Sequence, residues 1–243
     1  MPVTNVYEEG NLVWDAMLNQ TNVDNNNNKF FSLQLLKDNE TNNFSVLFRW
    51  GRVGYPGQNS LTPFGGNLEG AKHCFTTKFH DKTGNNWADK DNFETLPRKY
   101  TLIHMDYNVK RDEASDEDKE AEDAQEKSSP PESKLDEIQE LTYNIQTIQL
   151  DSTRSPLGKL TSHQIAAGYR ILEKLKKQIL DNELGKEHAN LVDEYYTKIP
   201  HNFGFRQKPP LINTVEMVEK ETAMLQDLEH TVKSSREAKK IGE

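Results

Sequence analysis

The 243-residue sequence predicts an α+β domain followed by an all-α helical bundle. Two apolar, strand-like runs at 30–36 and 44–50 flank a polar stretch at 38–42, which is the pattern of a β-hairpin. After Asn67, and again after residue 134, apolar residues recur at helical spacing instead. We therefore expect strands and a helix in the first half of the chain and helices alone in the second.

The first domain, residues 1–107, is predicted to be a small antiparallel sheet with one helix across it. Asn67 is suited to cap that helix, because its side-chain oxygen can accept a hydrogen bond from a free N–H of the first turn. Residues 100–105 supply a last strand. The apolar stripe of the helix should pack on one sheet face, and it comprises Leu68, Ala71, Phe75 and Phe79.

The second domain, residues 135–243, is predicted to be a helical bundle. Thr161 and Gln164 have the spacing of a capping box at the start of the second helix. Asn213 and Glu216 can cap the fourth helix in the same reciprocal way. Four apolar stripes mark the helices: Leu135, Ile138, Leu141, Ile145 and Ile148; Ile165, Tyr169, Leu172 and Ile179; Leu191, Val192, Tyr195, Tyr196 and Ile199, ended by Pro200; and Val215, Val218, Leu225, Leu228 and Val232.

Composition excludes several classes of protein. The sequence contains no apolar stretch long enough for a membrane span and no hydrophobic signal region at its start. Its single cysteine, Cys74, excludes an intrachain disulfide framework and is typical of a reducing compartment, so we expect a soluble intracellular protein. The net charge of −9 excludes a strongly basic protein that coats DNA non-specifically.

Much of the negative charge lies in residues 108–134, which carry 5 Lys and Arg against 10 Asp and Glu. This stretch has no aromatic residue and contains a Ser-Ser-Pro-Pro sequence at 128–131. It is predicted to be an acidic flexible linker, because it cannot bury enough apolar surface to offset the entropy of ordering. Residues 1–107 are nearly neutral, with 10 basic against 12 acidic side chains, which leaves room for a small basic surface.

One strand end, at 43–54, has unusual neighbours. The alternating apolar strand runs directly into Trp50-Gly51-Arg52. Arg52 offers a planar fork suited to a phosphate, and Trp50 offers a flat face for a sugar or a base. Gly51, Gly54 and Gly57 would let the backbone turn sharply and approach a ligand. Taken alone, however, these residues favour the simpler interpretation of a core tryptophan and an ordinary surface arginine.

The wider pattern resembles the WGR domain, which is named after this tripeptide. Matching residues are spread from Met17 to Tyr107, and they are Met17-Leu18-Asn19-Gln20-Thr21-Asn22, Asn26-Asn27-Asn28-Lys29, Asn86-Trp87, Lys99-Tyr100 and Met105-Asp106-Tyr107. Such a spread resembles the DNA-damage-activated poly(ADP-ribose) polymerases. The resemblance implies a nuclear protein that binds broken or nicked DNA carrying a 5′-phosphate.

The resemblance also implies which residues meet DNA: Trp50, Arg52, Asn28, Lys29, Trp87 and Tyr100. Arg52 would bind the terminal 5′-phosphate through charge-assisted hydrogen bonds, and Trp50 would pack against the terminal nucleotide. For Trp87 and Tyr100 a place in the core is an open alternative, because aromatic residues in small domains are mostly buried. Sequence preference is not expected, since nothing here is arranged to read bases in a groove.

The second domain resembles the regulatory helical domain of the same polymerases. The matching segments lie at 156–160, 167–169, 196–204 and 209–212. In that family the bundle rests on a transferase domain and restricts access of NAD until a DNA break is bound. By this resemblance the bundle at 135–243 is expected to be incomplete at its C-terminus.

We therefore expect a module that senses DNA strand breaks and has no catalytic, cofactor-binding or metal-binding residues of its own. The transferase domain is absent from the sequence, so this chain is expected not to transfer ADP-ribose; NAD is the substrate of the full-length family. Two alternatives stay open. The chain is a fragment or short isoform of an active NAD ADP-ribosyltransferase, or its helical bundle is a protein-interaction module. Beyond DNA, the expected partner is a full-length polymerase or another repair protein, and no membrane is expected.

Overall fold

A computed structural model of the protein describes residues 4–106 and 155–241, with side chains up to residue 232. Residues 4–106 form a sheet with one long helix, here called the sheet domain. Residues 155–241 form three helices, here called the helical domain. The predicted linker at 108–134 and the predicted stripe from Leu135 to Ile148 lie outside the described residues.

The sheet domain contains eight strands, and the largest sheet is antiparallel with the strand order β7-β6-β5-β4-β8. Strand β1 also joins this sheet by pairing with the end of β5, while β2 and β3 form a separate two-stranded hairpin. The strands are β1 (Thr4–Val6), β2 (Glu8–Glu9), β3 (Leu12–Val13), β4 (Asp15–Asn22), β5 (Asn27–Asp38), β6 (Phe44–Arg52), β7 (Gln58–Gly65) and β8 (Thr101–Ile103).

The predicted hairpin is confirmed as β5 and β6, which pair over nine residue positions from Lys29↔Arg52 to Lys37↔Phe44. In this register Phe31 lies opposite Trp50, so the two aromatic rings share one face of the sheet. Side chains alternate between faces along a strand. Every second residue of β5 therefore faces the same side as Trp50.

The predicted helix across the sheet is also confirmed, as α1 (Leu68–Thr83). The Asn67 side-chain oxygen accepts a hydrogen bond from the Gly70 N–H at 2.9 Å, which makes Asn67 the cap of this helix. Ala71, Phe75 and Phe79 are fully buried and pack against the β5 and β6 face. A short 3-10 helix (Trp87–Asn92) follows and closes the end of this core.

The helical domain consists of α2 (Ser162–Leu180), α3 (Lys186–Lys198) and α4 (Val215–Ile241). Their buried side chains form a second core that includes Leu172, Tyr195 and Leu225. Val23 and Ile103 of the sheet domain belong to the same core. The sheet therefore lies between α1 on one face and the helical domain on the other.

Two predicted helix caps need correction. The Thr161 hydroxyl accepts from the Gln164 N–H at 3.2 Å, but the Gln164 amide donates to the Lys198 carbonyl at 2.8 Å instead of reaching back. The cap of α4 is Thr214, whose hydroxyl accepts from the Met217 N–H at 3.2 Å. The observed cap therefore lies one residue after the predicted cap, Asn213. Asn and Thr are both good cap residues, so the sequence pattern does not distinguish Asn213 from Thr214.

Within the two described ranges, no helix is both long and apolar enough to cross a membrane. The same residues contain no group of three or more side chains placed to hold a metal ion.

Candidate nucleic-acid interface

On one face of the sheet domain, lysine side chains gather around aromatic rings. The Lys82 Nζ lies 4.7 Å from the centre of the Phe31 ring, and the Lys78 Nζ lies 5.7 Å from that of Phe48. The Lys29 Nζ lies 5.4 Å from the centre of the Tyr100 ring. We call the lysine surface the set formed by Lys29, Lys78, Lys82, Lys99, Trp50 and Tyr100.

Three elements position the lysines and Tyr100 of this surface. Lys78 and Lys82 are one helical turn apart on α1 and border its buried stripe. Lys29 comes from the start of β5 and faces the same side of the sheet. The Tyr100 N–H donates to the Lys82 carbonyl at 3.0 Å, which ties the segment carrying Lys99 and Tyr100 to the end of α1.

The electrostatics of the surface favour an anion. Partial burial lowers the pKa of Lys82, and the positive charges of Lys78, Lys29 and Lys99 lower it further, while Asp81 acts in the opposite direction. Burial and the neighbouring positive charges together outweigh the effect of Asp81 on the Lys82 ammonium group. A bound phosphate would supply negative charge and stabilise all of the ammonium groups at once.

Aromatic groups lie beside these charges. Trp50 stacks on Phe31, with ring centres 6.0 Å apart and an interplanar angle of 16°, and it keeps partial exposure. Burial raises the pKa of Tyr100, so its phenol stays protonated and can donate a hydrogen bond. The surface thus combines cations, a flat ring face and a hydroxyl donor, which suits a nucleotide with its phosphate.

The structure places Trp87 elsewhere. Its side chain is 6% exposed and packs in the core against Trp14, Phe75 and Phe79. Trp87 is therefore a core residue, whereas Tyr100 keeps part of its side chain at the surface.

Asn28 and Arg52, two other predicted DNA-binding residues, hold the helical domain in this structure. Asn28 is 2% exposed, and its side-chain amide donates to the His201 carbonyl at 2.8 Å. The Arg52 Nε–H donates to the Gly204 carbonyl at 2.7 Å, and a further guanidinium N–H donates to the Gln207 carbonyl. Other N–H groups of Arg52 bond to the backbone and side-chain oxygens of Asn26.

A second set of contacts joins the C-terminal half of β4, and Val23 just after it, to the C-terminal half of α3. The Asn19 amide donates to the carbonyls of Tyr196 and Thr197 at 3.1 and 2.9 Å, and so satisfies helix-end carbonyls that lack a partner within α3. The Thr21 N–H donates to the Thr197 hydroxyl at 2.9 Å, and the Val23 N–H to Asp193 at 2.7 Å. We call these contacts, together with those of Asn28 and Arg52, the domain seam.

Gly54 and Gly57, which were predicted to let the backbone approach a ligand, are required by the conformation and packing of their own loop. Gly54 has φ +87°, and a Cβ there would lie 2.2 Å from Cγ of Asn202 in the helical domain. Gly57 has φ +75°, and a Cβ would lie 2.3 Å from the Trp50 carbonyl oxygen. Both positions require glycine for conformation and for close approach. Gly54 packs against the helical domain, and Gly57 packs beneath the strand that carries Trp50.

Sequence reasoning missed Lys78, Lys82 and Lys99 as members of a common surface. The signal for the first two was their spacing of four residues next to the buried stripe of α1, which puts both on one side of the helix. The seam residues of α3, Asp193 and Thr197, carried no comparable signal.

Comparison with known families separates the chain into the same two parts. Residues 14–94 match the model of the WGR domain, and residues 134–240 match that of the poly(ADP-ribose) polymerase regulatory domain. The matches do not test the predicted domain boundaries, so the limits at 107 and 135 stay predictions.

Three curated relatives cover almost all of this chain. Poly [ADP-ribose] polymerase 2 of Homo sapiens is 43% identical over 234 residues, covering 92% of the chain and 40% of the relative. Protein mono-ADP-ribosyltransferase PARP3 of Homo sapiens is 40% identical, covering 92% and 43%. Poly [ADP-ribose] polymerase 2 of Arabidopsis thaliana is 34% identical, covering 92% and 37%. The chain spans about two fifths of the length of these relatives.

The family resemblance predicted from Trp50-Gly51-Arg52 and its neighbours is thereby confirmed, as is the fold of a small sheet with a helix followed by a helical domain. By its WGR domain and its regulatory domain, the chain belongs to the poly(ADP-ribose) polymerase family.

Proposed function

We propose that the sheet domain binds the 5′-phosphorylated end of a broken or nicked DNA strand at the lysine surface. The protein would act in the nucleus as the break-sensing part of a polymerase that transfers ADP-ribose from NAD. The observation that carries this proposal is a gathering of lysines on one surface. Lys29, Lys78 and Lys82 lie over the rings of Tyr100, Phe48 and Phe31, the charge of Lys99 acts on Lys82, and Trp50 stacks on Phe31.

A terminal phosphate suits this surface better than an internal one. It carries more charge and exposes more oxygens, so several ammonium groups can approach it together. The charges of Lys29 and Lys82 act on the same part of the surface. Lys29 lies over the Tyr100 ring and Lys82 over the Phe31 ring, and these two rings are in contact. The terminal sugar and base would then pack on Trp50, whose ring is fixed from below by Phe31.

The proposal assigns Arg52 and Asn28 a different primary role from direct phosphate binding. Arg52 lies opposite Lys29 in the β5–β6 register, so the lysine surface and the domain seam are direct neighbours. DNA bound to Lys29 would act on the paired strands β5 and β6. On these strands Asn28, next to Lys29, and Arg52, opposite it, donate hydrogen bonds to the helical domain. We infer that DNA occupancy reaches the helical domain through this strand pair.

The proposal is tested by fluorescence anisotropy of the full chain with a short blunt duplex that carries 5′-phosphates. Lys29→Ala and Lys82→Ala should each weaken binding about tenfold, the scale of a hydrogen bond to a charged group. Each variant should also reduce the slope of log K against log salt, since one phosphate contact fewer releases less counterion. Unchanged affinity in both variants would contradict the proposal.

Lys37→Ala is the matched control. Lys37 lies on the same strand and the same face as Lys29, but eight residues away, which is about 26 Å along an extended strand. Its substitution changes the net charge by the same amount and should leave DNA affinity within about twofold, because only local charge clusters bind phosphate. An equal loss in all three variants would indicate attraction by overall charge instead of a site.

A further inference from the structure

The imidazole of His201 lies between two hydrogen-bond acceptors. Its Nδ1 is 2.6 Å from the Ile199 carbonyl oxygen, and its Nε2 is 2.8 Å from a carboxylate oxygen of Glu221 on α4. A carbonyl and a carboxylate can only accept, so both ring nitrogens must carry a proton to make these two bonds. The geometry is that of an imidazolium.

The groups around this ring support the same charge state. Burial disfavours ionisation of Glu221, but hydrogen bonds from His201 and Tyr195, together with the charges of His201 and Lys220, outweigh it and lower the Glu221 pKa. Burial raises the pKa of Tyr195 and of Tyr196, so both neighbouring phenols stay neutral. His201 and Glu221 thus form an ion pair whose side chains are 13% and 17% exposed.

This ion pair anchors the part of the helical domain that the sheet domain holds. We call residues 199–207 the receiving segment, because its carbonyls at His201, Gly204 and Gln207 accept the hydrogen bonds of Asn28 and Arg52. The His201 ring also stacks on Phe203, with centres 5.4 Å apart and an interplanar angle of 5°. The ring therefore fixes the direction in which the segment presents its carbonyls.

We propose that His201 is a positioning residue whose protonated ring, bonded to Glu221, holds the receiving segment in place for Asn28 and Arg52. Loss of the ring proton leaves one nitrogen with a lone pair facing an oxygen, so one of the two anchors is lost. The domain seam should therefore be tight while both ring nitrogens of His201 carry a proton, and it should loosen in any form of the ring that lacks one of them. At low pH the seam should loosen again when Glu221 takes up a proton.

The first test is the ¹⁵N NMR spectrum of the histidine rings of the full chain, without DNA. At pH 6 the His201 ring should show two protonated nitrogens, and a neutral single tautomer at that pH would overturn the proposal. Since no DNA is present, this result is independent of whether the sheet domain binds DNA ends.

The second test is hydrogen exchange by mass spectrometry on the receiving segment. In His201→Gln, protection of residues 199–207 should be about tenfold or more below that of the unaltered chain. The control His80→Gln, at an exposed histidine of α1, should behave as the unaltered chain does.

The ¹⁵N spectrum of the unaltered chain decides the matter even if His201→Gln fails to fold. A receiving segment that is equally protected in a folded His201→Gln protein would contradict the proposal, because the ring would then have no part in holding it.

Discussion

The Nε–H of Arg52 donates to the backbone carbonyl of Gly204 at 2.7 Å, across 152 residues of sequence. The arginine of the Trp-Gly-Arg tripeptide is therefore a bridge between the two domains in this structure. Its planar fork matches backbone oxygens from both domains, those of Asn26 on one side and of Gly204 and Gln207 on the other. The planar guanidinium fork, which suits a phosphate, also suits carbonyl oxygens that converge on it.

Replacement of Arg52 should loosen the domain seam even where the charge is kept. Arg52→Lys is expected to lower the free energy of unfolding by about 1–3 kcal/mol, because a single ammonium cannot make the divergent hydrogen bonds of the guanidinium. Urea unfolding of the full chain measures this. Arg98→Lys, at an exposed arginine, is the control and should leave the stability unchanged. Equal stability of the two variants would show that the bridge contributes nothing.

Gly54→Ala should destabilise the protein where the two domains touch. The residue would be strained at φ +87°, and its Cβ would force Asn202 aside. Strain of this kind costs about 1–3 kcal/mol. Gly66→Ala is the matched control, because it lacks a positive φ and a Cβ there would meet no atom within 4 Å. Thermal unfolding should separate the two variants, and a stable Gly54→Ala protein would mean that this close approach is absent in solution.

Thr214, and not the neighbouring Asn213, should stabilise the N-terminus of α4 as its cap. Thr214→Ala should cost about 1 kcal/mol, since it removes the acceptor of the Met217 N–H. Asn213→Ala should cost much less. Urea unfolding of both variants decides between the two caps, and the reverse order of losses would restore the cap that the sequence predicts.

Glu221 gives the seam a dependence on acid. Its pKa is lowered in the folded protein, so its carboxylate contributes stability above its ordinary pKa, and that contribution is lost as the pH falls through the lowered value. Stability measured by urea at a series of pH values should thus fall on the acid side. Glu221→Gln should flatten that part of the curve and be less stable near pH 7. An unchanged acid limb in the variant would show that other carboxylates cause the fall.

The hairpin and α1 could be predicted from the sequence because their apolar periods are clear and their buried faces are local. Phe31 and Phe48 alternate with residues of the opposite face, and Phe75 and Phe79 repeat at helical spacing. Strand β4 gave no such pattern. Its inward residues Asn19 and Thr21 are buried but polar, since they bond to α3 instead of facing an apolar core.

The site was predictable only in part for a related reason. Lys29, Trp50 and Tyr100 could be named from the family resemblance, but their common surface depends on the register of β5 with β6 and on the direction of α1. The roles of Asn28 and Arg52 depend on backbone carbonyls more than 150 residues away, and backbone groups leave no mark in a sequence. Strand β7 was missed because Pro63 is tolerated there only by an edge strand.

The most direct test of the proposed end recognition is the affinity of the full chain for two duplexes that differ only in their 5′-phosphates. Anisotropy at a fixed salt concentration should show about tenfold tighter binding to the phosphorylated duplex, the scale of a hydrogen bond to a charged group. In Lys82→Ala this preference should shrink, because one ammonium group fewer lies at the terminal phosphate. Equal affinity of the unaltered chain for both duplexes would contradict the recognition of a 5′-phosphorylated end.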